Sequence, residues 1–252
     1  MIGVSCTQFP REQPQVWLDR IVGNFDLWEI FSEVDHSVSK HKDLFKELLP
    51  SYDLSYSIHA PICDLNIASL SDRLREASAK ETVSTIIAAN ELDIDLVTVH
   101  PGLSSMVVKG LEGRAMELAN RTMISLDKVG KEYGVTIAIE NMPNVPFFLG
   151  RTADELSAII DGTDLSVCLD VGHAFITGQI DRMIELHGDR LANIHIHDNH
   201  GDRDEHLTIG DGDIDYVDVF GKLSSYQGNF VIESRDFDSA VESQNRISEM
   251  LE

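Results

Sequence analysis

The stretch "LDKVGKEYGVTIAIEN", residues 126–141, holds the end of one element and the whole of the next. Lys128 and Lys131 suit the negative end of a helix, and Gly134 is the residue type that closes one in left-handed backbone. The run that follows, "VTIAIE" (135–140), is almost continuously apolar and β-branched, as expected of a strand covered on both faces. It stops at a carboxylate, Glu140. A helix passing directly into a doubly covered strand is half of a parallel β-α-β unit, so the fold turns on how often the pattern recurs.

It recurs along the whole chain. Strands are predicted near residues 2–6, 27–32, 54–60, 96–100, 135–140, 165–170, 191–197 and 229–234. Helical patterns lie between them, the longest over 69–92 and 111–134, and Ser69 with Asp72 predicts a capping box at the start of the first. Eight strand–helix units in 252 residues have the size and rhythm of a single (β/α)8 TIM barrel occupying residues 1–252 as one domain. A doubly wound open sheet is the competitor. No Gly-x-Gly-x-x-Gly follows the first strand, which removes its usual dinucleotide-binding form.

Composition narrows the function classes. The chain is 42% hydrophobic and 25% charged, ordinary for a globular protein, with a net charge of −23 that works against binding a polyanion non-specifically. Cys6, Cys63 and Cys168 have no paired-motif spacing, so a reduced, cytoplasmic setting is expected. The opening "MIGVSCTQFPREQP" has no basic leader, and no apolar run approaches a membrane span. Nothing in the sequence indicates an oligomeric state.

In a barrel the C-terminal ends of the strands share one mouth, where chemistry normally sits. Those ends read His59 in "SIHAP", His100 in "TVHPG", Glu140 in "IEN", Asp170 and His173 in "LDVGH", His195 and His197 in "IHIHD", and Glu233 in "IESRD". The loop after strand seven adds Asp204 and His206 in "DEH". Singly each has a plain alternative: a satisfied histidine, a solvated carboxylate, or, for Asp170, a helix cap. Together they place metal-competent side chains on six strands at one end, which chance does not explain. Gly172 is expected to allow a tight turn that aims Asp170 and His173 into the mouth. An extended loop would aim Asp204 and His206 the same way. His195 and His197 share a strand face, so alternation leaves open which is the ligand. Imidazole and carboxylate without a thiolate cluster suit zinc, manganese or iron(II). In the remainder of "NIHIHDNHGDRDEHLTIGDG" (193–212), His200 is expected to be solvated; just beyond, Asp213 and Asp215 begin the next helix.

This order of motifs resembles the xylose isomerase-like TIM-barrel superfamily over nearly the whole chain. That superfamily includes sugar and sugar-phosphate isomerases and epimerases, and the endonuclease IV-type apurinic endonucleases. The endonuclease IV likeness implies three zinc ions: one on His59, His100 and a bridging Glu140, a second on Glu140, Asp170, His195 and Glu233, a third on His173, Asp204 and His206. It also favours His195 over His197, because Asp198 follows His195 by three; His197 is left to support a ligand or touch substrate. The ketose 3-epimerase likeness implies one divalent ion on Glu140, Asp170, His195 and Glu233, with His173 contacting substrate. Two departures stand out. Gly201 replaces the epimerases' substrate-binding arginine, and Ile62 replaces the endonuclease's aromatic after "HAP".

The favoured reading is a divalent-metal-dependent isomerase or epimerase of a sugar or sugar phosphate, using one to three ions. Glu140 and Glu233 would exchange protons with substrate as general base and acid. Of Lys109, Arg151, Arg203 and Arg235, which follow strand ends, Arg235 is the preferred anion-binding candidate. "NMPNVPFFLG" (141–150) offers Phe147 and Phe148 as a lid or as rim packing. The alternative is a trinuclear phosphodiesterase, disfavoured by charge because nucleic-acid binders show a basic face. A metal-holding scaffold without turnover is the third possibility.

Overall fold

The computed structural model describes residues 1–251. Its strands are β1 Ile2–Cys6, β2 Leu27–Phe31, β3 Ser55–His59, β4 Leu96–Val99, β5 Thr136–Glu140, β6 Ser166–Asp170, β7 Leu191–Ile196 and β8 Asn229–Ser234. All pair in parallel, and β8 closes on β1 with Ser5 opposite Glu233. The helices are α1 Pro14–Ile21, α2 Lys42–Leu48, α3 Asp72–Glu91, α4 Glu112–Tyr133, α5 Ala153–Ile159, α6 Val171–Ile176, α7 Ile180–His187, α8 Tyr216–Lys222 and α9 Phe237–Leu251. This is the (β/α)8 barrel that the sequence rhythm predicts. No helix among the described residues is long and apolar enough to cross a membrane.

Alternation along the strands divides the core in two. Outward residues such as Trp28, Ile30, Ile58, Val97, Ile137, Leu169 and Ile194 are buried and join one continuous layer with the helices. Inward, Leu96, Ala138 and Cys168 form a small separate cluster that plugs the barrel. Gly3 is required by close packing, since a Cβ there would lie 2.5 Å from the Leu27 side chain. Gly134 ends α4 at φ +68°, as its position in the opening stretch requires.

Three local expectations are corrected. The capping box does not form: α3 starts at Asp72 with Ser71 at its cap, while the Ser69 hydroxyl accepts the Ser71 N–H instead. Gly172 is not a turn residue but lies inside α6; its need is steric, as shown below. The loop after β7 is not extended at His206, whose φ of +48° is left-handed.

One feature of the helical layer sets an acid limit. His36 is completely buried beside Trp28 and Phe45, with Nε2–H donating to the Glu12 carbonyl at 3.0 Å and Nδ1 without a partner. Burial, only partly offset by that carbonyl and by Asp35, lowers the imidazole to about 4. Below the unfolded value of about 6.5 the unfolded chain takes up a proton that the folded chain refuses. The His36 contribution to stability is therefore full above about pH 6.5 and falls progressively as pH drops toward about 4. The loss over that window approaches about 3 kcal/mol. Urea titrations of His36→Gln, which keeps a donor for Glu12 but does not titrate, should show a flatter dependence; parallel curves for the two proteins would refute this.

Candidate metal centre

The ends of β3 to β8, and the loop after β7, bring all nine predicted ligand positions into three adjoining groups of donor atoms. In each group the candidate atoms lie within 4.8 Å of one another: His59, His100 and Glu140; Glu140, Asp170, His195 and Glu233; and His173, His197, Asp204 and His206. Glu140 belongs to two of them.

The local chain explains how each side chain is aimed. In the first group the Glu140 carboxylate receives both imidazoles on one oxygen, with His59 Nε2 and His100 Nε2 each 3.2 Å from Oε2. His59 is oriented by an Nδ1–H donated to the Ala60 carbonyl at 2.8 Å. In the second, His195 Nδ1 stands 3.2 Å from Glu233 Oε1 and 3.8 Å from Glu140 Oε2. Asp170 is both cap and site residue: its Oδ1 accepts the His173 N–H at 2.7 Å, while Oδ2 has no hydrogen-bond partner and lies 3.4 Å from His173 Nδ1. Asn141 clasps β5 to β6 by donating to the Asp170 carbonyl and accepting its N–H. The Asn141 carbonyl in turn accepts His173 Nδ1–H at 2.9 Å.

In the third group His173 Nε2 and His206 Nε2 are 3.3 and 3.1 Å from Asp204 Oδ2. The loop carrying Asp204 and His206 is framed by Asp198, whose carboxylate accepts the amides of Asn199, Gly210 and Ile214. His200 is exposed and pairs with Glu205 outside the groups. Asp215 caps α8 through the Asp218 N–H, and Asp213 lies just before it. Arg235 is exposed beyond Glu233, and Arg151 is engaged by Glu155. Phe147 and Phe148 sit on the rim: the Phe147 carbonyl accepts the Ser104 amide, and the loops after β3, β4 and β5 line a half-open apolar cavity of about 240 Å³ beside Ile62, Leu103 and His100.

Two residues of the site escaped the sequence reading. Glu29, in the middle of β2, is wholly buried inside the barrel beneath His195. Its Oε1 is 2.9 Å from His195 Nε2, and its Oε2 accepts from Asn193 at 2.7 Å and from Ser57 at 3.3 Å. The signal was present as a lone charge in "LWEIF", an otherwise apolar strand. Asn193 was available as the residue sharing the His195 face two positions earlier.

The electrostatics ask for positive charge. Burial alone would strip the proton from His173 and His206, yet the surrounding carboxylates, Asp170 and Asp204 foremost, push them up to about 10 and about 9. Burial likewise opposes the charge on Glu140, but His100 and His195 hold it well below the usual carboxylate range. Buried donor atoms without partners include Asp170 Oδ2, His195 Nδ1 and both nitrogens of His197. Orphaned lone pairs of imidazole and carboxylate type, converging in a carboxylate-rich pocket, fit divalent cations.

A family model described as a xylose isomerase-like TIM barrel matches residues 22–252. The chain belongs to that family. Within the xylose isomerase-like barrels it is similar to the uncharacterized protein MJ1311 of Methanocaldococcus jannaschii, 34% identical across 99% of this chain and 89% of that one. Among solved structures a D-tagatose 3-epimerase-like protein superposes with a TM-score of 0.91 at 32% identity, covering 99% of this chain and 96% of the other. A probable endonuclease 4 of Natronomonas pharaonis is 29% identical over 83% of this chain and 74% of its own length.

Proposed function

We propose that this protein is a divalent-metal-dependent isomerase or epimerase that moves a proton between carbon atoms of a sugar or sugar phosphate. One observation carries the reading: Glu140 and Glu233, a buried carboxylate and a partly exposed one, flank the Asp170–His195 pair at the barrel mouth. The 32% identity to a D-tagatose 3-epimerase-like protein supports it.

Glu140, Asp170, His195 and Glu233 would hold the ion. When bound it would supply Lewis-acid stabilisation of the negative charge that develops on the carbonyl and neighbouring hydroxyl oxygens. The chain's own residues do the proton work. Glu233, facing the mouth, takes the proton from the carbon next to the carbonyl, and Glu140 serves as its partner acid or base. His173 and His197 line the neighbouring group, and Arg235 is the candidate to hold a substrate anion at the rim.

The rival reading, a trinuclear phosphodiesterase acting at abasic sites, draws on the three donor groups and on relatives named probable endonuclease 4. The net charge of −23 weighs against it, because phosphate neutralisation dominates nucleic-acid affinity. The test is to incubate metal-loaded protein in deuterated water with a panel of ketoses, aldoses and their phosphates, and in parallel with an abasic oligonucleotide. Deuterium appearing at the carbon beside a sugar carbonyl is the expected result. Nicking of the oligonucleotide without any exchange into sugars would overturn it.

A further inference from the structure

The rim of the barrel is not uniform. On the side of β3, β4 and β5 it opens into the apolar cavity of about 240 Å³, lined by Ile62, Leu65, Leu103, Phe147 and Phe148. All five are half-buried, and together they leave one concave apolar surface. His100 belongs to both regions: it lines the cavity, and its Nε2 stands 3.2 Å from Glu140 in the first donor group. The walls are pre-formed. Asn66 donates from Nδ2 to the Leu103 carbonyl at 3.0 Å and accepts the Leu103 N–H on Oδ1 at 2.9 Å. Leu103 in turn pairs with Phe148 in an antiparallel bridge. Glu33 Oε1 accepts the N–H groups of Ile62 and Cys63, both at 2.7 Å. Gly102, at φ +99°, closes the corner, and a Cβ there would stand 2.7 Å from that of Ala68.

The lining decides what kind of group fits. Of its two polar side chains, Thr82 donates its hydroxyl to the Ser78 carbonyl and His100 faces Glu140. A sugar hydroxyl or a phosphate placed here would give up water for no partner. An apolar cavity of about 150 Å³ takes a benzene, so this one has room for a phenyl or a short alkyl group. Further along the loop that carries Leu103, Met106, Val107 and Val108 are exposed in succession, at 72%, 88% and 55%. Single exposed apolar residues need no explanation, but a run of three on a loop that lines an apolar opening does. We infer that the substrate carries an apolar, phenyl-sized substituent away from its reacting carbons, and that this cavity seats it while the polar end lies over the donor groups. The reacting end rests on the isomerase reading above; the cavity adds the other end. Because β4 and β8 stand on opposite sides of the eight-stranded barrel, the substituent points away from Glu233. It takes no part in proton transfer, so its binding lowers KM and leaves kcat as it is.

The test has two arms. In the first, metal-loaded protein is titrated with 4-fluorotoluene and followed by fluorine nuclear magnetic resonance. Saturable binding is expected, weakened at least about tenfold in Ile62→Asn and in Phe147→Asn, which each put an amide into the cavity from a different loop. Thermal melts check the fold of both variants, and failure of one leaves the other to decide. In the second arm, deuterium wash-in compares a panel of ketohexoses with their benzyl ethers at the terminal hydroxyl. An ether should exchange with a KM lower than its parent's by about 10–100-fold, the value of burying one phenyl-sized side chain. Both variants should shrink that advantage. Failure of 4-fluorotoluene to saturate the wild type would overturn the inference. So would saturation only in Met106→Ala, which would show that the chain's own loop fills the space. Equal KM values for ether and parent would overturn it too, while the exchange itself still supports an isomerase. Exchange into no sugar, with 4-fluorotoluene bound by the wild type and lost in the variants, would remove the isomerase reading and keep the apolar subsite.

Discussion

Glu140→Gln should abolish proton exchange and lower the bound-metal count by at least one ion per chain. The substitution keeps the shape but replaces an anionic acceptor with an amide that also presents donors. Four imidazoles feel the change: His59 and His100 at 3.2 Å, His173 at 3.5 Å and His195 at 3.8 Å. Loss of a general acid or base alone costs about 10²–10⁴ in rate, and the bridging position adds the cost of two weakened donor groups. Glu233→Gln is the natural comparison. It touches only the second group and the His206 edge, so exchange should fall by a similar factor while the His59–His100 ion remains. Deuterium wash-in followed by nuclear magnetic resonance, with metal counted on the same sample, separates the two. An E140Q protein that keeps more than about a tenth of wild-type exchange would remove the carboxylate from the chemistry.

The second large effect is expected just beneath the donor group that holds His195. Glu29→Gln should weaken the ion on His195 by about 10–100-fold, the usual cost of losing the carboxylate behind a metal-bound histidine. Glu29 Oε1 lies 2.9 Å from His195 Nε2, so the carboxylate favours a proton on that nitrogen and leaves Nδ1 free to face Glu233. Glutamine offers either an oxygen or an NH2 at that place and no longer selects the tautomer. Isothermal titration of the chelated protein with zinc measures the affinity, and thermal melts of the chelated protein measure the fold. A positioning role lowers the affinity more than the melt can explain. A change confined to the melting temperature would reduce Glu29 to a structural residue.

These two residues mark the boundary of what the sequence could reveal. Glu140 was legible because it terminates a β-branched run, and a strand end is a place in space once eight such runs imply a barrel. The strands themselves were found to within one residue for the same reason: parallel strands buried on both faces leave continuous apolar runs. Glu29 was not legible in this way. Its partners Asn193 and His195 lie on β7, across the barrel, and their approach depends on strand stagger, which alternation does not encode. Gly172 was misjudged for a related reason. Its neighbour in sequence suggested a turn, but what excludes a side chain there is the His197 ring, brought in from another strand. His206 shows a third limit, since nothing in "DEH" announces a non-glycine residue in left-handed backbone. Family resemblance supplied the grouping of ligands that the bare residues left open.

The plug of Leu96, Ala138 and Cys168, with Glu29, Thr98 and Asn193 hydrogen-bonded to one another beside it, has a consequence for traffic. All six side chains are buried, and a barrel interior filled by side chains is a packed core rather than a pore. Whatever enters must leave through the same doorway between the strand-end loops. Departure of one occupant therefore has to precede arrival of the next, and a molecule too wide to turn within that doorway would leave in the orientation in which it came.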